Sequence, residues 1–149
     1  GGILFRDNSV RQNMTMKVPY LAGGETEQTT LLGTRVGASV VAAWALLKHL
    51  GKKGYRKIVQ RCMKLTLELA EKIRSIDGVS LVTKPTMNIL GIKSDAMNVE
   101  ALAEKLRSKG WAVSLFPEHI RIVVMPHVQT PHVKAFLEDL RNIMEKKAG

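Results

Sequence analysis

A segment that is apolar on nearly every side covers residues 35–50 and is followed by Gly51. Alanine, valine, leucine and Trp44 cover most of the circumference of the helix predicted there. Such a helix is expected to be buried on several sides, because a surface helix keeps one polar face. The apolar run is shorter than the roughly 20 residues that a membrane span needs. We therefore expect other protein surfaces, not lipid, to cover it.

A second long helix is predicted over residues 52–76, and Asp77-Gly78 ends it. Its apolar residues recur at close to the 3.6-residue period of a helix that buries one face. They are Tyr55, Ile58, Val59, Cys62, Leu65, Thr66, Leu69, Ile73 and Ile76. The position of Cys62 on this stripe predicts a core residue and not a nucleophile.

The rest of the chain alternates short strands with helices. Strands are predicted over residues 79–83, 88–93, 111–115 and 120–125. Asn98 is the expected N-cap of a helix that reaches Lys109, and Thr130 that of a final helix with Pro131 at its first position. This order predicts an α+β fold in which two long helices precede a small, mostly antiparallel sheet with helices on one face.

The chain divides into three predicted segments. Residues 1–34 lack a sustained hydrophobic period and form a connector or arm that lies on another domain or subunit, with a short strand over 16–21. Residues 35–76 are the two linking helices. Residues 77–149 form the small α/β domain.

The formal net charge of +10 is unevenly distributed, since residues 36–67 contain no acidic side chain. The basic residues there are Lys48, Lys52, Lys53, Arg56, Lys57, Arg61 and Lys64. They predict a solvated helix face, or a face that meets an acidic part of a larger enzyme. An independent basic module that binds nucleic acid or another partner is the alternative. Aromatic residues make up only 5% of the chain and do not interleave with the basic ones, which disfavours nucleic-acid binding.

Two polar positions have both a structural and a functional interpretation. Thr34 and Arg35 lie where the first long helix begins, so Thr34 is either an N-cap or part of an anion site built on free N–H groups. Arg121 lies on a predicted strand and points to the face opposite Ile120 and Ile122. It needs solvent or a partner, which can be a structural ion pair or a bound carboxylate.

The histidines and Tyr20 give weaker signals. His127 and His132 each follow a proline, but one is predicted in a loop and the other in a helix, and no third ligand has a suitable spacing. We therefore predict no metal site. Tyr20, beside Pro19, either contacts a substrate or covers a neighbouring surface.

Several motifs together resemble a known family. Leu32-Gly33-Thr34-Arg35-Val36-Gly37-Ala38 is followed by Lys48-His49-Leu50-Gly51 and by Gly54-Tyr55-Arg56. The opening Gly1-Gly2-Ile3-Leu4-Phe5-Arg6 and the run 121–128, Arg-Ile-Val-Val-Met-Pro-His-Val, fit the same pattern. The chain thereby resembles group II pyridoxal-phosphate-dependent amino-acid decarboxylases over essentially its whole length, above all the archaeal enzymes for L-tyrosine and L-aspartate.

The resemblance implies the C-terminal part of a fold-type-I enzyme that uses pyridoxal 5'-phosphate. The family's Schiff-base lysine, in an Asp-Pro-His-Lys type motif, is expected shortly before Gly1, so this chain alone should be inactive. The reaction would release CO₂ from L-aspartate, giving β-alanine for coenzyme A synthesis, or from L-tyrosine, giving tyramine. A homodimer formed through the missing large domain and residues 1–50 is also implied.

The resemblance further assigns roles to the candidate residues. Thr34 and Arg35 would approach the cofactor phosphate, Arg121 would hold the substrate α-carboxylate, and His127 would line the mouth of the active site. An aminotransferase or desulfurase-like enzyme of the same fold is the other enzymatic alternative. A single cysteine indicates a reducing compartment, and we expect a cytoplasmic protein.

Overall fold

The computed structural model describes residues 5–30 and 36–145. The chain divides into two compact units, Gly1–His49 and Leu50–Gly149. Within the described residues, no helix is long and apolar enough to cross a membrane.

The first unit contains a short helix and a hairpin. Helix α1 (Asn8–Gln12) is capped by Asp7, whose carboxylate accepts the N–H of Ser9 at 2.9 Å. This hydrogen bond lowers the pKa of the Asp7 carboxyl below its ordinary value. Strand β1 (Met16–Leu21) pairs antiparallel with β2 (Gly24–Gln28). The strand predicted over 16–21 is therefore present, whereas its partner β2 was not predicted.

Helix α2 (Ala38–Ile73) contains one interruption, at Gly51. The backbone of Gly51 has φ 56° and ψ −175°, a conformation that is essentially restricted to glycine. Two helical segments therefore meet where the sequence predicts a break. The second segment ends at Ile73 and not at residue 76.

The two segments of α2 differ in burial. In the first, the large apolar side chains of Val40, Val41, Trp44 and Leu47 are all more than half exposed. The second buries Cys62, Leu65, Thr66, Leu69, Ala70 and Ile73. Burial of Cys62 confirms its predicted place in the core. Val59 is exposed, so the predicted buried stripe is shorter at its N-terminal end.

A four-stranded antiparallel sheet organises the second unit. Its strands are β3 (Val79–Leu81), β4 (Ile89–Ser94), β5 (Ser114–Leu115) and β6 (Ile120–Val123), in the order β3-β4-β6-β5. Strand β4 has its predicted length of six residues, displaced by one position, whereas the other three strands are shorter than predicted. The difference is largest for β5, because only Ser114 and Leu115 pair with β6.

One face of this sheet carries the core. Leu90 lies opposite Ile122, and Ile92 lies opposite Ile120, so these side chains share a face. Helices α3 (Val99–Ser108) and α4 (Thr130–Glu145) complete the same core, with Leu102, Leu106 and Leu140 fully buried. Asn98 caps α3 as predicted, because its side chain accepts the N–H of Glu100. The predicted α+β class, with helices on one face of a small antiparallel sheet, is confirmed.

Candidate functional site

Arg121 lies on the sheet face opposite the core. In the ladder it stands between Gly91 of β4 and Ser114 of β5, whereas its neighbours Ile120 and Ile122 point towards the helices. The two residues beside it are small, so the arginine is the largest side chain in this row of three. Its side chain is exposed, as the alternation of the strand predicts.

The guanidinium of Arg121 is not used in an ion pair with any described residue. Its contact is with an aromatic ring, since Cζ lies 5.1 Å from the centre of the Phe116 ring. In this cation–π contact the guanidinium keeps its N–H donors free of carboxylates within the described part of the chain. The structural ion pair considered from the sequence has no partner there. A guanidinium without a carboxylate partner presents a planar fork of N–H donors, which matches the geometry of a bound carboxylate.

An open cavity of about 390 Å³ lies beside Arg121. Its lining includes the stretch from Trp111 to Ser114, residues 121–123 of β6 with Val124 after them, and residues from the loop and helix that follow. The cavity lies where the chain leading into β5 has not yet joined the ladder with β6. The cavity is therefore lined by Arg121, His127 and His132 on its polar part and by apolar side chains elsewhere.

The apolar wall is held by contacts between Trp111 and α4. The indole ring packs edge-on against Phe136, with 5.2 Å between ring centres, and Nε1 donates to Oδ2 of Asp139 at 2.9 Å. Asp139 also contacts Nζ of Lys109 at 3.7 Å through its other oxygen. These contacts satisfy the one polar atom of the indole and fix the ring at the cavity.

The segment carrying His127 is held by hydrogen bonds to Asn88 and Arg61 and by a turn of its own. Asn88 donates its side-chain N–H to the carbonyl of Val124, and its own carbonyl accepts the N–H of Val124, each at 2.9 Å. Nη2 of Arg61, on α2, donates to the carbonyl of Pro126. A turn bond from the N–H of Val128 to the carbonyl of Met125 closes the loop at 2.9 Å.

His127 and His132 both reach the cavity that Arg121 lines. His132 already has a structural role, because its Nδ1 accepts the N–H of Gln129 at 3.2 Å just before α4. His127 is exposed and has no hydrogen bond to another described residue, so its imidazole is available to a bound molecule. Within the described ranges, no three histidine, cysteine, aspartate or glutamate side chains are grouped to hold a metal.

Two of the five predicted site residues thus come together in one cavity, namely Arg121 and His127. Tyr20 lies on β1 in the first unit, and Thr34 and Arg35 fall outside the described residues. The sequence analysis missed Phe116 and Asn88, and it treated Arg61 only as part of a basic stretch. A Pro-Glu pair between two strands marks the turn at Phe116, but the sequence does not show which way that ring points.

Comparison with known proteins gives related sequences along nearly the whole chain. It is 42% identical over 146 residues to the L-aspartate decarboxylase of Thermococcus kodakarensis, covering 98% of this chain and 38% of that protein. It is 44% identical over 144 residues to the L-aspartate/L-glutamate decarboxylase of Pyrococcus horikoshii, with 97% and 37% covered. A probable L-tyrosine/L-aspartate decarboxylase of Methanosphaera stadtmanae is 40% identical over 148 residues, with 98% and 38% covered.

The chain therefore spans less than two fifths of the length of these relatives, and it matches their C-terminal part. No protein-family profile matches it.

Solved structures give the same picture of the fold. Sphingosine-1-phosphate lyase from Burkholderia pseudomallei superposes with a TM-score of 0.82 at 25% identity, over 95% of this chain and 33% of that one. Glutamate decarboxylase from Lactobacillus brevis superposes with a TM-score of 0.70 at 21% identity, over 91% and 34%. The similarities confirm the resemblance to these decarboxylases and the fold of type I pyridoxal-phosphate enzymes.

Proposed function

We infer that this chain is the C-terminal part of a pyridoxal-phosphate-dependent amino-acid decarboxylase, in which Arg121 binds the α-carboxylate of the substrate. The observation that carries this proposal is the state of the Arg121 guanidinium. It is exposed, in cation–π contact with Phe116, without a carboxylate partner among the described residues, and Arg121 lines a cavity. The relatives supply the reaction class, since their names describe decarboxylases of amino acids.

The residues around the cavity fit the substrate side of such a site. Arg121 offers two parallel N–H donors to a carboxylate, and His127 offers an imidazole nitrogen beside it. The lining of the cavity includes no lysine. We therefore propose that the covalent lysine comes from another part of the longer protein, and that Thr34 and Arg35 bind the cofactor phosphate, as the resemblance implies.

Pyridoxal phosphate supplies an electron sink for the electron pair left when CO₂ departs. The part assigned to this chain is to orient the bond that breaks. A carboxylate held by both arms of the guanidinium could not rotate freely, so Arg121 would fix the direction of the bond to Cα that breaks. Trp111 and Phe136 give the cavity an apolar wall.

We propose L-aspartate as the principal substrate, with β-alanine for coenzyme A synthesis as the product. Relatives from Thermococcus and Pyrococcus at 42% and 44% identity have L-aspartate in their names. L-Tyrosine is the second candidate, because the Methanosphaera relative at 40% identity has both amino acids in its name. Tyr20 is a further candidate for substrate contact. The single cysteine, Cys62, supports a cytoplasmic location.

The decisive experiment uses the full-length protein that contains this chain, loaded with pyridoxal phosphate and given L-aspartate or L-tyrosine separately. Release of CO₂ together with β-alanine or tyramine supports the proposal and identifies the substrate. Formation of a keto acid without CO₂ would instead indicate an aminotransferase. No turnover of any amino acid, combined with salt-sensitive binding of duplex DNA, would favour the basic-module alternative.

We also propose a homodimer in which residues 1–50 contribute to the subunit contact. Support comes from the first segment of α2, where Val40, Val41, Trp44 and Leu47 are exposed. An apolar helix surface of this extent is typical of a protein interface. For the full-length enzyme we also propose the division into three segments that the sequence pattern predicts. These are an arm over 1–34, linking helices over 35–76 and a small domain over 77–149.

A further inference from the structure

The turn between β5 and β6 folds over the outer face of the sheet and carries a stack of two rings that contacts Arg121. Phe116 and His119 are its first and last residues, and the N–H of Phe116 donates to the carbonyl of His119 at 2.9 Å. Their rings lie parallel, with 4.9 Å between centres and 4° between planes. Cζ of Arg121 lies over the Phe116 ring, 5.1 Å from its centre.

Gly91 leaves room on the sheet for the His119 ring of this stack. A Cβ added at Gly91 would lie 3.3 Å from Cδ2 of His119 and 2.9 Å from Cγ2 of Val82. The latter distance is too short for any real side chain, so a larger residue at 91 would displace its neighbours. Gly91 is also the ladder partner of Arg121. The absent side chain therefore lets the imidazole lie close to the sheet in the row beside the arginine.

The turn is fixed from a second direction by charge. Nζ of Lys93, on the same outer face of β4, lies 3.6 Å from Oε2 of Glu118 in the middle of the turn. Glu118 is exposed and Lys93 is half-buried, so this ion pair adds little to the stability of the fold but restricts where the turn lies. Pro117, the second residue of the turn, restricts its backbone further.

We propose that Phe116, supported by His119, is a positioning residue that orients the Arg121 guanidinium towards the substrate carboxylate. This inference rests on the proposed function of Arg121. A free arginine side chain has many rotamers, and ordering it when the substrate binds would weaken binding. The Phe116 contact orders it beforehand, because Cζ of Arg121 lies over a ring that is itself stacked on an imidazole.

The test is a double-mutant cycle in the full-length holoenzyme. Phe116→Leu should lower kcat/KM about 2- to 5-fold, which is the effect of one cation–π contact at an exposed site. Phe116→Tyr keeps an aromatic face and should stay near wild type. In the Arg121→Met background, Phe116→Leu should cause no further loss, because a residue that acts only through Arg121 has nothing left to position.

A second measurement needs neither cofactor nor activity. In the 149-residue chain the Hδ protons of Arg121 should be shifted upfield in NMR spectra by the Phe116 ring, and should return to free-arginine positions in Phe116→Leu but not in Phe116→Tyr. Unshifted protons in the unsubstituted chain would overturn the stack itself.

The outcomes separate this inference from the proposed function. If Arg121→Met impairs turnover but Phe116→Leu does not, or if the two losses simply multiply, Phe116 does not act through Arg121 and only the positioning role is overturned. Equal losses in Phe116→Leu and Phe116→Tyr would also contradict it. If Arg121→Met has normal kcat/KM, the carboxylate-binding role of Arg121 and the positioning role of Phe116 both fail.

Discussion

Replacing Arg121 by methionine in the full-length enzyme should lower kcat/KM strongly while the melting temperature changes little. Loss of a charged hydrogen-bond donor from the substrate carboxylate costs roughly 2–4 kcal/mol in the apparent barrier. At about 1.36 kcal/mol per tenfold change, kcat/KM should fall roughly 30- to 900-fold.

The stability side of this prediction follows from the contacts of Arg121. The side chain is exposed, and its described contact is the Phe116 ring at 5.1 Å. A cation–π contact at an exposed site contributes about 0.5–1 kcal/mol. Methionine keeps much of the apolar stem, so packing on the sheet changes little. The melting temperature should therefore fall by no more than about 4 °C.

The assay measures decarboxylation kinetics and thermal unfolding on the same preparations. Arg107→Met is the matched control, because Arg107 is an exposed arginine on α3 that does not line the cavity. It should leave both quantities near wild type. Arg121→Lys keeps the charge but loses the planar fork, so its activity should lie between those of the wild type and Arg121→Met. Near-normal kcat/KM with a large fall in melting temperature would refute the carboxylate-binding role.

Three further predictions concern the 149-residue chain. Mixed with pyridoxal phosphate, it should give only slow, unspecific adducts, whereas a stoichiometric borohydride-trapped adduct at one lysine with decarboxylase activity would contradict the missing-lysine assignment. At high concentration it should self-associate, since Trp44 and its apolar neighbours are exposed. Trp44→Lys should weaken that association in sedimentation experiments. A strictly monomeric chain would count against this prediction. Leu106→Ala should lower the free energy of unfolding in urea by about 2–5 kcal/mol, because Leu106 is fully buried. Leu67→Ala, at a side chain that is 43% exposed, is the control and should cost far less; equal effects would mean that the core is placed wrongly.

Local sequence signals were sufficient where the chain's own chemistry decides the structure. Gly51 ends an apolar helix because its backbone adopts a conformation that other residues avoid. Asn98 caps α3 because its side chain can accept an N–H two residues ahead. The alternation of Ile120, Arg121 and Ile122 placed the arginine opposite the core, since successive side chains of a strand point to opposite faces.

Element ends depend on tertiary contacts and were less well predicted. Strand β5 has only two residues because it pairs with β6 only at Ser114 and Leu115. The predicted strand over 111–115 includes Trp111, whose indole instead contacts Phe136 and Asp139 on α4. Hydrophobic periodicity cannot indicate where a strand leaves its partner, because the partner lies elsewhere in the chain.

The sequence by itself determined the α+β class, the helix break, the outward direction of Arg121 and, through its motifs, the resemblance to the decarboxylases. Only the tertiary structure placed His127 on the same cavity as Arg121 and brought Phe116 into contact with both Arg121 and His119. It also gave Arg61 its bond to the carbonyl of Pro126, across 65 positions of sequence. The physical reason is that caps, turns and alternation act over a few residues, whereas cavities and stacks need side chains that meet only after the sheet and helices have packed.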